Sequence, residues 1–444
     1  MGRRRRRQRL PQEPVEASID SLSHDGRGVA RVDEKVTFIH GALPGERVRF
    51  RYTARRRSRD EGEVVEVLEP SPRRVEPGCE HFGLCGGCSL QHLEAQAQIE
   101  YKQQILLDAF THLGKVEPEE VLPPLLNERP WGYRRKARLG VKNVPKKGRV
   151  LVGFRERGSN LIATLEHCEV LHPKIGHALM DLSDLIGGLS RPGRIPQIEV
   201  AMDDERCVLI FRNLDPLGAE DEKRLRDFAR EKDFIIYLQP GGPETVTPLD
   251  EPADLRYRLP GFDLELRFEP GDFTQVNSDI NRQMVARAVE MLDPRQDERV
   301  LDLFCGIGNF TLPLATRAGE VVGVEGAAEL VARARENARR NGLENVRFHV
   351  ANLYEELQEP WLKERFHKVL LDPPRSGAQE VLGHLPRMGV ERILYVSCYP
   401  GTLARDAGEL VHRHGYRLLS AGVMDMFPHT AHVESIALFE KGGK

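Results

Sequence analysis

Residues 299–315, RVLDLFCGIGNFTLPLA, decide the fold of this chain: they read as a strand, a glycine turn and a helix. Gly306 and Gly308 permit a tight turn and let a ligand approach the backbone N–H groups at the start of the helix. A full dinucleotide fingerprint would place a third glycine at position 311, where this sequence has Thr311. That substitution speaks against a nicotinamide enzyme.

Downstream, apolar strands alternate with helical segments from about residue 295, the pattern of a parallel, doubly wound sheet. The strand EVVGVE ends in Glu325, 19 residues after Gly306, where a carboxylate can accept from both ribose hydroxyls of an adenosine. Nucleotide binders and S-adenosylmethionine binders share that spacing. VRFHVAN then ends in Asn352, HKVLLDPPRSG carries Asp372 ahead of two prolines, and RILYVSCYPG ends in Cys398. Any one of these is explained by capping or by an extended Pro-Pro backbone. Five successive strands finishing in a polar or reactive residue are better explained by one crevice, because ligands of open α/β sheets bind at the carboxyl ends of the strands.

Composition sets the outer limits. A chain of 444 residues, 40% hydrophobic and 30% charged, can build more than one core. It contains no apolar run long enough to span a bilayer, and MGRRRRRQRLPQEP lacks the apolar stretch of a signal peptide. A cytoplasmic protein with reduced thiols is expected, and clustered cysteines there bind metal or do chemistry. The net charge of −3 conceals an asymmetry, since residues 1–75 hold 18 Lys plus Arg against 12 Asp plus Glu. A basic end on an acidic body points to a polyanionic partner. For Arg3–Arg7 the plainer reading is a solvated, disordered tail.

Residues 15–70 alternate in short apolar strands broken by glycines, as in a small β-barrel, with Arg55, Arg56, Arg57 and Arg59 on a loop or strand edge. Next comes CEHFGLCGGCSLQHL, residues 79–93, with Cys79, Cys85 and Cys88 within ten residues. Cys168 in EHCEVLHP completes a set of four thiols. Such a site holds zinc or an iron–sulfur cluster, and spacing alone leaves both open. A helix is expected over LEAQAQIEYKQQILLDAFTHLG, followed by mixed strands such as QIEVAMDD and CVLIFRN. Cys207 and Cys305 read as structural.

In combination, LDLFCGIGNFTLPLA, LLDPPRSG, YVSCYPGTLARD and FPHTAHVESIALFE resemble the motifs of RNA uracil-C5 methyltransferases, and DFTQVN resembles the segment just before their catalytic core. Residues 15–70 resemble a TRAM domain. The cysteine segment, WGYRRKARLGV and EHCEVLHP are similar to the central domain of the TRAM-bearing members that modify large-subunit ribosomal RNA. This resemblance implies a Rossmann-like S-adenosylmethionine-dependent methyltransferase that forms 5-methyluridine in 23S ribosomal RNA, with no membrane association and no obligate protein partner. It also implies a TRAM barrel over 15–72, a central α+β domain with a [4Fe-4S] cluster over 73–265 and the methyltransferase over 266–444; the basic, disordered tail expected over 1–14, with its arginine run, lies outside the resemblance. A transfer-RNA uracil methyltransferase and a non-catalytic, RNA-binding iron–sulfur redox sensor are the alternatives.

The residue roles follow from the same resemblance. Uracil C5 is too weak a nucleophile to take a methyl group unaided; a thiolate added at C6 turns the C5–C4–O4 unit into an enolate, and a base must later remove the C5 proton. Cys398 matches the family nucleophile and Glu434 in HVES the base, on a strand expected to run antiparallel at the edge of the sheet. Gln275, Phe304, Asn309, Glu325, Asn352 and Asp372 match cofactor-pocket positions: Phe304 against the cofactor, Glu325 on the ribose, Asn352 near adenine, Asp372 and Gln275 near the methionine or the uracil. The target base must leave its stack to reach the thiol.

Overall fold

The structure, a computed structural model, describes residues 10, 11, 13–355 and 358–442, and the arginine run of the expected basic tail lies outside them. The chain divides into two units: one runs to Lys102 and includes Pro428–His432, the other comprises Gln103–Phe427 and continues from Val433.

In the first unit, strands β1 (Val15–Ser18), β2 (Ser21–Leu22), β3 (Gly28–Val32), β4 (Lys35–His40), β5 (Arg47–Arg55) and β6 (Asp60–Glu69) form one sheet in the order β1-β5-β6-β4-β3-β2. Its two edge strands are separated in the chain by Ile19 and Asp20 alone. A flat six-stranded sheet would hold them about 24 Å apart, so this sheet must roll up into the expected barrel. Alternate residues point inward, and Ala17, Ile39, Val48 and Phe50 fill the interior. The expected arginines sit at the exposed tip of the β5–β6 hairpin, where Arg55 pairs with Asp60 and Arg56 with Glu61.

An irregular stretch carrying Cys79, Cys85 and Cys88 leads from β6 to α1 (Ala95–Ala109), the expected helix, which ends in a π turn over Phe110–Gly114. The second unit begins with β7 (Glu120–Val121) and continues through β8 (Lys136–Val144), β9 (Arg149–Gly153), α2 (Pro173–Gly176), α3 (Leu179–Gly187), β10 (Gln197–Met202), β11 (Cys207–Arg212), α4 (Ala219–Lys232), β12 (Ile235–Gln239) and β13 (Thr247–Pro248). The last six of these strands make a mixed sheet, β13-β12-β11-β10-β8-β9. A hairpin of β14 (Leu255–Leu259) and β15 (Leu264–Phe268) leads into α5 (Ser278–Leu292).

The rest is the doubly wound part: β16 (Arg299–Leu303), α6 (Thr311–Ala315), β17 (Glu320–Glu325), α7 (Ala328–Arg340), β18 (Val346–Val350), β19 (Lys368–Leu371), α8 (Gln379–Leu382), β20 (Arg392–Ser397), α9 (Pro400–His412), β21 (Tyr416–Met424) and β22 (Glu434–Lys441). The sheet order is β18-β17-β16-β19-β20-β22-β21-β7, with the first five strands parallel. All five therefore present their carboxyl ends along one edge. β22 runs antiparallel to β20, as expected, but it is not an edge strand: β21 pairs along its other side and β7 covers β21. Its run Ser435-Ile-Ala-Leu-Phe439 is buried throughout, the signature of an interior strand.

One core joins the hairpin and the doubly wound part. Leu266 and Phe268 pack with Met284 and Val285 of α5 and with Val300 of β16, and Val208 and Tyr237 of the mixed sheet belong to the same cluster. Asn337 of α7 and Asn341, just past its end, fasten the hairpin through hydrogen bonds to the backbone of Arg267 and Glu265.

Candidate active site

The glycine turn builds one wall. Gly306 and Gly308 adopt φ of 54° and 97°, a region that favours glycine, and a side chain at Gly306 would project into open space. Phe304 also has a positive φ, 65°, costly for an aromatic residue and found where a site over-determines the backbone. Its ring lies 5.7 Å from that of Tyr354, an aromatic neighbour that sequence reasoning missed. Glu325, at the end of β17, accepts from the Gly306 N–H at 3.2 Å and from the Ala327 N–H at 3.0 Å. Its carboxylate is thereby fixed at the mouth of the turn. An adenosine ribose fits this cradle of open glycine backbone and a held carboxylate.

Two other expected pocket residues are occupied differently. The side-chain oxygen of Asn309 accepts from the Tyr257 hydroxyl and the Asn281 amide, each at 3.0 Å, and its amide donates back to Asn281. Asn309 thus ties the turn to β14 and α5. Asn352 is exposed and shapes its own loop, accepting from Tyr354 N–H and donating to Glu355. Thr311, standing where the dinucleotide fingerprint has glycine, donates to the fully buried Asp302. Burial pushes the Asp302 carboxyl up to about 8, so the group under the turn is protonated at neutral pH.

Cys398 and Glu434, the expected nucleophile and base, lie further along the same sheet, beyond β19. In the antiparallel ladder of β20 and β22, Ser397 pairs with Ser435. Cys398 directly follows this last pair on one strand and Glu434 directly precedes it on the other, close enough for the Glu434 carboxylate to act on the thiol. Ser435 Oγ locks this end by donating to Ser397 O at 3.0 Å. Cys398 is half-buried and its thiol is pushed up, first by burial and then by Glu434 and Asp372; Arg375, from the same loop as Asp372, acts in the other direction. Glu434 is 3% exposed, and burial, with Asp372 adding to it, raises its carboxyl well above the usual range. Asp372 is pushed up to about 7 by burial. Burial thus raises two carboxyls and a thiol side by side, and any of them that loses its proton is a stronger base or nucleophile than usual.

Gln275 is delivered by the loop between β15 and α5. Lys136, a residue the sequence reading passed over, is half-buried, reaches into this loop and donates from its ammonium to the carbonyls of Pro270, at 3.1 Å, and Asp272. Asp272 is held in turn by Arg333. The loop leaves through Asn277, which caps α5 by accepting from Ile280 N–H. A lysine inside a basic run has no sequence signal that separates this role from an exposed charge.

The four expected metal ligands fall in different surroundings. Cys79, Cys85 and Cys88 are half-buried in the irregular segment of the first unit, where Phe82 N–H donates to Cys79 O and Cys85 N–H to His81 O. Burial raises the Cys85 thiol, with Cys79 adding to the shift. Cys168 is buried in the second unit, in a turn whose N–H donates to Gly176 O at 3.0 Å. Four cysteine thiols are a donor set that suits a thiolate-bound metal centre. Cys207 and Cys305 are buried, as the structural reading requires.

Residues 207–442 match the family described as tRNA (Uracil-5-)-methyltransferase, and residues 8–54 match the TRAM domain. The chain is 60% identical, over 99% of both chains, to the 23S rRNA (uracil(1939)-C(5))-methyltransferase RlmD of Alkalilimnicola ehrlichii. It is 57% identical, over the full length of both, to the protein of the same name from Nitrosococcus oceani. Among solved structures, the tRNA (uracil-54, C5)-methyltransferase of Pyrococcus abyssi in complex with S-adenosyl-L-homocysteine superposes with a TM-score of 0.73 at 25% identity, over 96% of this chain and 99% of that one. Among the described residues no helix is long and apolar enough to cross a membrane.

Proposed function

The chain belongs to the family of RNA uracil-C5 methyltransferases, and we propose that it methylates C5 of a uridine in 23S ribosomal RNA in the cytoplasm, with Cys398 as nucleophile and Glu434 as base. The observation that supports this reading is the closeness of Cys398 and Glu434 beside the last pair of the β20–β22 ladder, at the carboxyl edge of the parallel strands. S-adenosylmethionine supplies an electrophilic methyl group. Phe304 and Glu325 hold its adenosine, the open backbone at Gly306 lets it approach, and Gln275 and Asp372 line the side facing the uracil. Asn309 keeps the turn in shape, and Asn352 shapes the loop on the adenine side.

The thiolate of Cys398 adds to C6 and makes C5 nucleophilic. After methyl transfer C5 carries both a proton and the methyl group. The Glu434 carboxylate removes that proton, the electron pair re-forms the C5–C6 double bond, and the thiolate leaves. A raised carboxyl pKa suits this step, because the base must hold the proton it takes.

The barrel of residues 15–72 contributes cationic RNA contacts at its arginine-rich hairpin tip, residues 73–265 form the central domain and residues 266–444 the catalytic one. Cys79, Cys85, Cys88 and Cys168 hold a [4Fe-4S] cluster, which when bound supplies the positive centre that buried thiolates need. The likeness to a transfer-RNA enzyme keeps a second substrate in view. Methyl transfer from S-adenosylmethionine to ribosomal and transfer RNA, assayed side by side, tests the assignment: incorporation into 23S RNA alone is expected, and incorporation into transfer RNA alone overturns it.

A further inference from the structure

A cavity of about 260 Å³ opens beside the catalytic edge, and Arg129, Trp131, Arg135, His172, Asn277 and Asp279 line it. Three backbone segments frame it. Arg134 N–H donates to Val170 O at 2.9 Å, His172 N–H to Arg134 O at 3.0 Å, and Arg135 N–H to Val276 O at 2.9 Å. The run Trp131–Arg135 is therefore stitched on one side to the Val170–His172 segment and on the other to the segment that carries Gln275. Trp131 is half-buried and lines the cavity. Arg135 is aimed by Asp204, at 2.9 Å, and by a hydrogen bond to Asp203 O. Arg129 is exposed and makes no ion pair among the described residues, while the cavity's carboxylate, Asp279, is already paired with Arg282 at 3.3 Å. His172 Nδ1 accepts from Lys174 N–H, which leaves the proton of the neutral ring on Nε2 as a donor.

This cavity adjoins the reactive pair. The Asn277 amide donates to Met426 O at 3.5 Å, and Met424, two residues before Met426, is the ladder partner of Glu434. Met426 N–H donates back to Met424 O at 2.9 Å, a tight turn that keeps the two residues close. Extruding the target uridine also unstacks the bases next to it, and an aromatic ring with guanidinium groups at its rim is how proteins hold an unstacked nucleotide.

We propose that this cavity binds a second nucleotide of the same RNA, a neighbour of the target uridine, with its base against Trp131 and its phosphate on Arg129 and Arg135. The proposal rests on the methyltransferase reading for the identity of the RNA.

The test is a binding cycle with a fluorescently labelled 23S RNA fragment that spans the methylated uridine, and with versions in which each nearby nucleotide in turn is abasic. Affinities of the wild-type protein and of Trp131→Ala are measured by anisotropy. Loss of one stacked base is worth about five- to hundredfold in affinity. Trp131→Ala is expected to weaken binding of the intact fragment by a factor in that range, Trp131→Phe to recover most of it, and S-adenosylmethionine affinity to stay put. At one neighbouring position the abasic RNA should weaken wild-type binding equally and cost Trp131→Ala nothing further. Arg129→Ala should lower the salt slope by about one ion. Losses that simply multiply at every abasic position, or a Trp131→Ala protein that binds as the wild type does, overturn the pocket. Because binding is the readout, failure to methylate the fragment would count against the proposed substrate and leave the cycle to judge the pocket.

Discussion

The catalytic edge and the cysteine segment both carry thiols, yet they are built in opposite ways. Cys398 sits just past the end of an interior strand, and the β20–β22 ladder brings it up to Glu434 before any ligand arrives. Cys79, Cys85 and Cys88 lie in a stretch with no regular strand or helix, held by a few turn hydrogen bonds. A ladder pays for geometry with backbone hydrogen bonds that exist in any case. An irregular loop lacks that source of order, and the metal centre proposed for the thiols would supply it.

The largest effects should come from Cys398 and Glu434. Cys398→Ala cannot add to C6 and should lower turnover by at least about 10³-fold, with no covalent protein–RNA species. Glu434→Gln keeps the thiol, so addition and methyl transfer proceed while elimination stalls. A denaturation-resistant protein–RNA adduct carrying labelled methyl should accumulate in that variant, visible on a denaturing gel. Normal product release by Glu434→Gln would place the base elsewhere and remove the reason for the pairing.

At the cysteine segment the prediction has a different signature. Anaerobically purified protein should be brown, with broad absorbance in the blue, and Cys85→Ser should bleach it and lower the melting temperature. S-adenosylmethionine binding should persist in that variant, because the ladder and the glycine turn do not depend on the loop. Colourless protein with stoichiometric zinc would exchange one thiolate metal for another.

Lys136 gives an intermediate case, a loop made rigid by one half-buried side chain. Lys136→Met keeps the aliphatic length but leaves two carbonyls without their donor, a cost of about 1–3 kcal/mol for each buried group. The loop carrying Gln275 should loosen, raising the KM for RNA about tenfold while the KM for S-adenosylmethionine moves little. An unchanged RNA KM would mean that Asn277 and Arg333 hold the loop alone.

What could be read from the sequence follows the same division. The five parallel strands and their terminal residues are visible because a strand is local and its carboxyl end is where the apolar run stops. The position of β22 inside the sheet was not, since that depends on β21 and on β7, about 300 residues away in the chain. Glu325 and Cys398 stand where the pattern puts them. Asn309 was legible as a residue of the turn but not as the partner of Asn281 and Tyr257, a contact between elements that no spacing encodes. Lys136 and Tyr354 escaped for the same reason. The barrel closed as its alternation predicts, because a period of two fixes which residues face inward.

The smallest expected effect concerns the stability that the catalytic edge gives up for its order. Asp372 has a folded-state pKa of about 7 against an ordinary 3.8, and burial is the cause. Between those values the unfolded chain releases this proton while the native state keeps it. The native state thus binds more protons, and this carboxyl's contribution to stability falls as pH rises through that window and levels off above it. Glu434 is raised too, partly by the Asp372 charge, so its contribution runs the same way. Asp372→Asn removes the first contribution and weakens the second. The variant should melt near the wild-type temperature at about pH 4 and above it by a few degrees at about pH 7, with the margin growing steadily between. A constant margin across the window would show that the native carboxyl titrates normally and that the catalytic edge is wetter than its burial implies.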